Sequence, residues 1–105
     1  HHFLTWVHKE FGKGLPIYVT ENGMASRSGH ADADRIAYLA QHLDAVQAAV
    51  QKGEPVAGYF VWSLLDNYEW ALGYEKRFGL VHVDFDTLER TPKASYHALA
   101  AALKA

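Results

Sequence analysis

The residues from Val56 to Leu65 run Val-Ala-Gly-Tyr-Phe-Val-Trp-Ser-Leu-Leu with no alternation of polar and apolar side chains. A strand with one wet face alternates; a strand covered on both faces does not. This run therefore predicts an interior strand of a parallel sheet. Gly58 inside it predicts a place where another group packs closely on the backbone. A second strand signal, Ile17-Tyr18-Val19-Thr20, lies upstream of it, led in by Pro16 and stopped by Glu21-Asn22-Gly23.

The stretch between the two runs decides how they pair. Ile36, Leu39, Leu43, Val46 and Val50 recur at spacings of 3, 4, 3 and 4, which is one apolar stripe on a long helix. Asp32 and Asp34 suit its N-terminus, where backbone N–H groups lack partners. Gly53 closes it and Pro55 blocks its continuation. Parallel strands need such a crossover helix. A helix over Phe3–Phe11, carrying Phe3, Leu4, Val7 and Phe11 on one period, precedes the first strand and ends at Gly12 and Gly14. Residues 24 to 31 read as a loop. After the second strand a long segment from Asp66 to Arg90 holds a short strand at Gly79–Val83, and Lys93–Leu103 forms a last helix with Tyr96, Leu99 and Leu103 on one face.

The order is helix, strand, helix, strand, helix, an α/β pattern. Two strands buried on both faces cannot cover themselves. The 105 residues hold one domain at most, and they read as an incomplete one, a piece of a larger sheet or barrel.

Composition narrows the function. Half the residues are hydrophobic and 21% are charged, with a net charge of −2 and no basic cluster. That balance suits a folded segment and gives no footing for nucleic acid or an anionic membrane surface. With no cysteines, disulfides and thiolate metal sites are excluded. No apolar run approaches the ~20 residues that cross a bilayer. The start lacks the charged region and cleavage site of a signal peptide, which leaves the cytoplasm as the expected compartment. The seven histidines show no metal spacing, and His30, His42, His82 and His97 are expected to be surface or packing residues. No cofactor is implied.

Glu21 follows the first strand directly. Trp62, Asp66, Asn67, Glu69 and Trp70 lie at or just past the end of the second. Active sites of parallel α/β folds sit at the C-terminal ends of the strands, so both clusters are expected at one end of the sheet. Carboxylates beside indoles suit a sugar, whose hydroxyls need polar partners and whose C–H face packs on an aromatic plane. Glycoside cleavage uses two carboxyl groups, ~5–5.5 Å apart in retaining enzymes.

These segments carry a resemblance. Pro16-Ile17-Tyr18-Val19-Thr20-Glu21-Asn22-Gly23 is similar to the nucleophile segment of glycoside hydrolase family 1, whose core is Thr-Glu-Asn-Gly. Trp62-Ser63-Leu64-Leu65-Asp66-Asn67-Tyr68-Glu69-Trp70 resembles that family's sugar-binding segment. Arg77-Phe78-Gly79-Leu80 and Arg90-Thr91-Pro92-Lys93 also match, in order and at the family's intervals. The resemblance implies the last two strands and helices of a (β/α)₈ barrel, the C-terminal quarter of a retaining β-glucosidase. It implies Glu21 as the catalytic nucleophile, Glu69 as the grip on the far hydroxyls of the innermost sugar, and Trp70 as an indole donor to a hydroxyl. Trp62 is then the aromatic floor of that subsite and Phe78 part of its wall. Asn22 and Asn67 are expected to hold their loops in shape, and Asp66 to orient the binding loop. Arg77 is expected either beside a carboxylate or simply on the surface.

The family's acid/base glutamate sits in an Asn-Glu-Pro segment, and this sequence contains none. The expectation is a chain that hydrolyses terminal β-D-glucosyl residues only when the rest of the barrel is supplied, and is inactive alone. Its partners are then a β-glucoside and the N-terminal portion of the barrel. Two other readings stay open: a carbohydrate-binding scaffold that self-associates through its uncovered strand edges, and a packing that forms no site. The aglycone and the choice among glucose, galactose and fucose are not legible.

Overall fold

The computed structural model describes residues 2–12, 14–27 and 29–104. The elements are α1 (His2–Phe11), β1 (Ile17–Asn22), α2 (Ala33–Gln51), β2 (Val56–Val61), a 3₁₀ turn (Trp70–Leu72), β3 (Val81–Val83), β4 (Arg90–Pro92) and α3 (Ala94–Ala102). The chain divides into two compact units. The first is His1–Asn22 with Ala40–Val61, and the second is Gly23–Leu39 with Trp62–Ala105.

In the first unit β1 and β2 pair in parallel, with Ile17 opposite Val56, Tyr18 opposite Gly58, Val19 opposite Tyr59 and Asn22 opposite Val61. The pairing opens with the Ile17 N–H donating to the Pro55 carbonyl at 2.8 Å. Gly58 answers the expectation of close packing, because a Cβ there would stand 2.7 Å from Cδ1 of Tyr18. The expectation that β2 is buried on both faces is not met. Phe60 is 58% exposed and Tyr18 on β1 is 55% exposed. Two strands and their helices supply cover for one face only, so the second face of this apolar sheet stays open.

Helix α1 contains no buried residue. Phe3, Trp6 and Phe11 are all exposed; the Trp6 ring stacks on Phe3 at 6.0 Å and meets Phe11 edge-on at 5.5 Å. Its fixed polar contact is His8 Nδ1 with Glu54 Oε2 at 2.5 Å. A hydrogen bond from Thr5 is the main influence holding the Glu54 carboxyl below its ordinary range. The stripe on α2 is buried at Leu39 but fades along the helix, since Val50 is exposed. Gly53, at a φ of 87°, ends α2 as expected.

The second unit has a different interior. Leu80, Val81 and Val83 are its buried apolar residues in this region, and β3 pairs with β4 antiparallel. The sequence signal for β3 is thus one strand of a hairpin. Its partner Arg90-Thr91-Pro92 has one strand former, Thr91, beside a proline, and its ladder with β3 places it. The second apolar run also ends earlier than expected, at Val61, with Leu65 making an isolated bridge to Val81.

Asp32 stands where α2 begins, as expected, but its side chain reaches further than its own helix. One carboxylate oxygen accepts the Ser95 N–H at 2.9 Å. The other accepts the Ser95 hydroxyl at 2.6 Å and pairs with Arg35. Arg35, Asp32 and Ser95 are the largest fully buried side chains among the described residues. The face of α3 that packs is therefore the Ser95 face. The predicted apolar face is not the buried one, since Leu103 is exposed.

Candidate functional site

Glu21 is the second-last residue of β1 and is exposed. Because β1 and β2 run parallel, it emerges at the strand end where β2 also finishes. Asn22 beside it accepts the Tyr59 hydroxyl at 2.6 Å, which braces the end of β1 against β2. That is the loop-holding part expected of Asn22. Glu21 opens on a cavity of about 760 Å³ within the first unit, lined also by Thr20, Asn22, Gln41, His42 and Tyr59. Apolar residues of α1, β1 and α2 complete the wall.

The sugar-contact candidates Trp62, Glu69, Trp70 and Phe78 belong to the second unit. The peptide between Trp62 and Ser63 is cis. The backbone of Gly23, the last residue of the Thr-Glu-Asn-Gly motif, lies directly against Trp62: a Cβ would stand 1.7 Å from the Trp62 carbonyl oxygen. Only glycine fits this approach. The Trp62 indole Nε1–H donates to Glu69 Oε2 at 3.2 Å, so these two candidates meet. Trp70 is 80% exposed at a φ of 48°, and its ring contributes nothing to a core. Phe78 is half-buried, and its carbonyl accepts the Ser63 N–H at 3.2 Å.

Glu69 and Trp70 sit on a tight turn. The Glu69 N–H donates to Gly73 O at 2.7 Å, Leu72 N–H to Glu69 O at 2.8 Å and Gly73 N–H to Trp70 O at 3.0 Å. Asn67 Nδ2 donates to Ser63 Oγ at 2.9 Å and to Leu65 O at 3.1 Å, again the bracing part expected of it.

Asp66 is the hub of this unit, with its side chain fully buried. Oδ1 accepts Lys93 Nζ and the Gly79 N–H, both at 2.9 Å. Oδ2 accepts Arg77 Nη1 at 3.2 Å and the Val83 N–H at 3.4 Å, with His82 Nδ1 at 3.3 Å. Burial raises the carboxyl pKa, but the bond and charge of Lys93 and the Gly79 and Val83 amides outweigh it, and the net shift is downward. Lys93 is also shifted downward, by burial first, despite Asp66 pulling the other way. The two directions are compatible: the carboxylate has several donors to repay its burial, whereas the ammonium has that carboxylate and the Gly79 carbonyl at 2.7 Å.

Lys93 and His82 were outside the expected site, and Arg77 was not resolved between surface and partner. One signal for Lys93 existed, its place in a matched motif. Asp66 directly after the apolar run is the matching signal, since a carboxylate buried there needs donors or a cation.

The family model of glycosyl hydrolase family 1 matches residues 1–104. The chain is 50% identical over 94 residues to a bifunctional β-D-glucosidase/β-D-fucosidase of Bifidobacterium breve, covering 79% of this chain and 20% of that protein. It is 53% identical over 85 residues to a 1,4-β-D-glucan glucohydrolase of Thermotoga neapolitana, covering 75% of this chain and 19% of that protein. Its fold is similar to the family 1 β-glucosidase of Thermotoga maritima, with a TM-score of 0.90 at 44% identity, covering 98% of this chain and 24% of that one. A β-glucosidase of Exiguobacterium antarcticum superposes equally well, at 45% identity. The chain thus spans about a fifth to a quarter of the length of the relatives it matches.

Proposed function

Because the chain belongs to glycosyl hydrolase family 1, we propose that it is the C-terminal quarter of a (β/α)₈ barrel whose complete form is a retaining β-glucosidase. Glu21 is its nucleophile. A carboxylate oxygen of Glu21 attacks the anomeric carbon and forms an ester as the glycosidic C–O bond breaks. The leaving oxygen takes its proton from a carboxylic acid on the N-terminal portion. Water then attacks the same carbon as the second carboxylate removes its proton, the ester bond to Glu21 breaks to restore its carboxylate, and the sugar leaves with its configuration retained. Glu69 accepts sugar hydroxyls, Trp70 donates its indole N–H, Trp62 floors the subsite and Phe78 walls it. The substrates are terminal β-D-glucosyl residues.

The observation that carries this reading is Glu21 exposed at the C-terminal end of β1 in a parallel pair, opening on a cavity of about 760 Å³. Strand C-terminal ends carry the chemistry of such barrels. The names of the relatives support a glucoside as substrate.

The test joins this chain to the N-terminal three quarters of the Thermotoga maritima β-glucosidase and follows hydrolysis of an aryl β-glucoside. The joined protein is expected to turn over, and the chain alone is not. Glu21→Gln is expected to lower kcat by roughly 10⁴-fold or more, as loss of a nucleophile does. Turnover that survives Glu21→Gln would reject the assignment.

A second reading has its own observation. Phe3, Phe11 and Phe60 are each more than half exposed on the first unit, a surface suited to self-association. A native mass spectrum showing only homo-oligomers, with sugar affinity that survives Glu21→Gln, would favour a non-catalytic module.

A further inference from the structure

The residues that meet sugar in the proposed function are held by a segment whose ends are tied together. Residues 67–78 leave Asp66 and return to Gly79, and the backbone at the two ends touches: a Cβ on Gly79 would stand 2.2 Å from the Asp66 nitrogen. This is the form of an Ω-loop, a compact excursion with closed ends. Asp66 fastens the closure. Its carboxylate takes the Gly79 N–H at 2.9 Å and Arg77 Nη1 at 3.2 Å from the returning end, and Lys93 Nζ at 2.9 Å from the start of α3.

Arg77 carries the connection onward. Its guanidinium lies 4.0 Å from the centre of the Phe85 ring. Phe85 is 4.4 Å from Tyr74, and Tyr74 meets Tyr68 edge-on at 5.2 Å. Tyr68 immediately precedes Glu69, whose carboxylate receives the Trp62 indole at 3.2 Å. The steps from Arg77 to Tyr68 are direct side-chain contacts, and the last runs along the backbone from Tyr68 to Glu69. A rigid guanidinium bound on one side and stacked on the other transmits position in a way that a flexible ammonium does not.

We infer that Asp66 is a positioning residue for Glu69 and Trp62, acting through Arg77 and the Phe85-Tyr74-Tyr68 stack, with Lys93 holding Asp66 in place. This rests on the proposed role of Glu69 as the grip on the sugar's hydroxyls. Asp66 touches no substrate. Its work is to keep one carboxylate at the place where a sugar hydroxyl arrives, since a small misplacement of a binding group costs much of its effect.

Two measurements test it. The first uses the chain as it is, with ¹H–¹⁵N spectra of Asp66→Asn, Arg77→Gln and Arg77→Lys. The Trp62 indole N–H signal is expected to move toward the position of a free indole in Asp66→Asn and Arg77→Gln while the amides of β3 and β4 keep their dispersion. Arg77→Lys should restore it in part. Arg77 is partly exposed, so its variants answer the question even where Asp66→Asn does not fold. An indole signal unmoved in folded Arg77→Gln overturns the inference. The second uses the joined enzyme. Arg77→Gln is expected to raise KM roughly tenfold, the scale of one bond to a charged group, with kcat little changed. In a Glu69→Ala background it should add nothing. An equal rise in both backgrounds means general damage and overturns the inference. If the joined enzyme is inactive with no substitution, the proposed function fails while the indole signal still decides the positioning.

Discussion

The two units reach stability by opposite means. The first relies on apolar contact and leaves much of its apolar surface open: α1 buries nothing, and Phe60 and Tyr18 face outward from the sheet. The second buries charge. Asp66 collects donors from Arg77, Gly79, Val83 and Lys93, and Asp32 collects Arg35 and Ser95. Apolar surface can be covered by any neighbour of suitable shape, whereas a buried carboxylate is satisfied only by particular donors at particular places. The unit that carries Trp62, Glu69, Trp70 and Phe78 is thus the one able to define its own geometry. The unit that carries Glu21 is built to receive cover.

The sharpest way to break this contrast is Asp66→Ala. It leaves the buried Lys93 ammonium without its carboxylate, and removing one partner of a buried pair costs about 3–5 kcal/mol. Urea unfolding followed by tryptophan fluorescence should show that loss. An effect below about 1 kcal/mol would mean that the network is ornamental, since even an average substitution costs that much.

Acid should act on the second unit in two stages. His82 is pushed below its ordinary 6.5, by burial first and then by the charges of Arg77, His30 and Lys93, against the pull of Asp66. The folded state favours neutral His82, so this stability is full above pH 6.5 and is lost as pH falls through the depressed folded value. Asp66 is held below its ordinary 3.8, so its contribution is present above pH 3.8 and is lost as pH falls through its own folded value. Equilibrium unfolding across this range should show both declines, and His82→Gln should abolish the first. A stability that stays flat from pH 7 to pH 4 would remove His82 from the network.

The smallest effect is expected in the first unit. Phe60→Ser should change the stability of this chain by no more than about 0.5 kcal/mol, as at other exposed positions, because the ring is 58% exposed. A cost above 2 kcal/mol would show that the outward face is already covered.

Much of the arrangement was legible in the residues. The period of α2, its stop at Gly53 and the strand signal at Ile17–Thr20 rest on local propensity, and these elements form where expected. Gly58 signalled close packing, and the ring of Tyr18 supplies it. The resemblance drew Glu21 and the Trp62–Trp70 segment out of the sequence together. The limits of that reading are equally specific. β4 is not legible in the residues because Thr91 is the one strand former in Arg90-Thr91-Pro92, and the strand exists through its ladder with β3. Lys93 and His82 were passed over because a histidine or lysine shows its partner only when the chain closes.

The sequence by itself determined the order from α1 to β2 and the closing helix, the parallel relation of β1 and β2, and the family. Each follows from residue type and spacing along the chain, or from matched motifs read in order. Only the tertiary structure decided that Asp66 gathers groups from residues 77 to 93 around one carboxylate, that Ser95 and not Leu103 marks the packed face of α3, and that the outer face of β2 lies open. The reason is physical. Period and propensity are local, but the satisfaction of a buried charge and the covering of an apolar face depend on which distant segments arrive beside it.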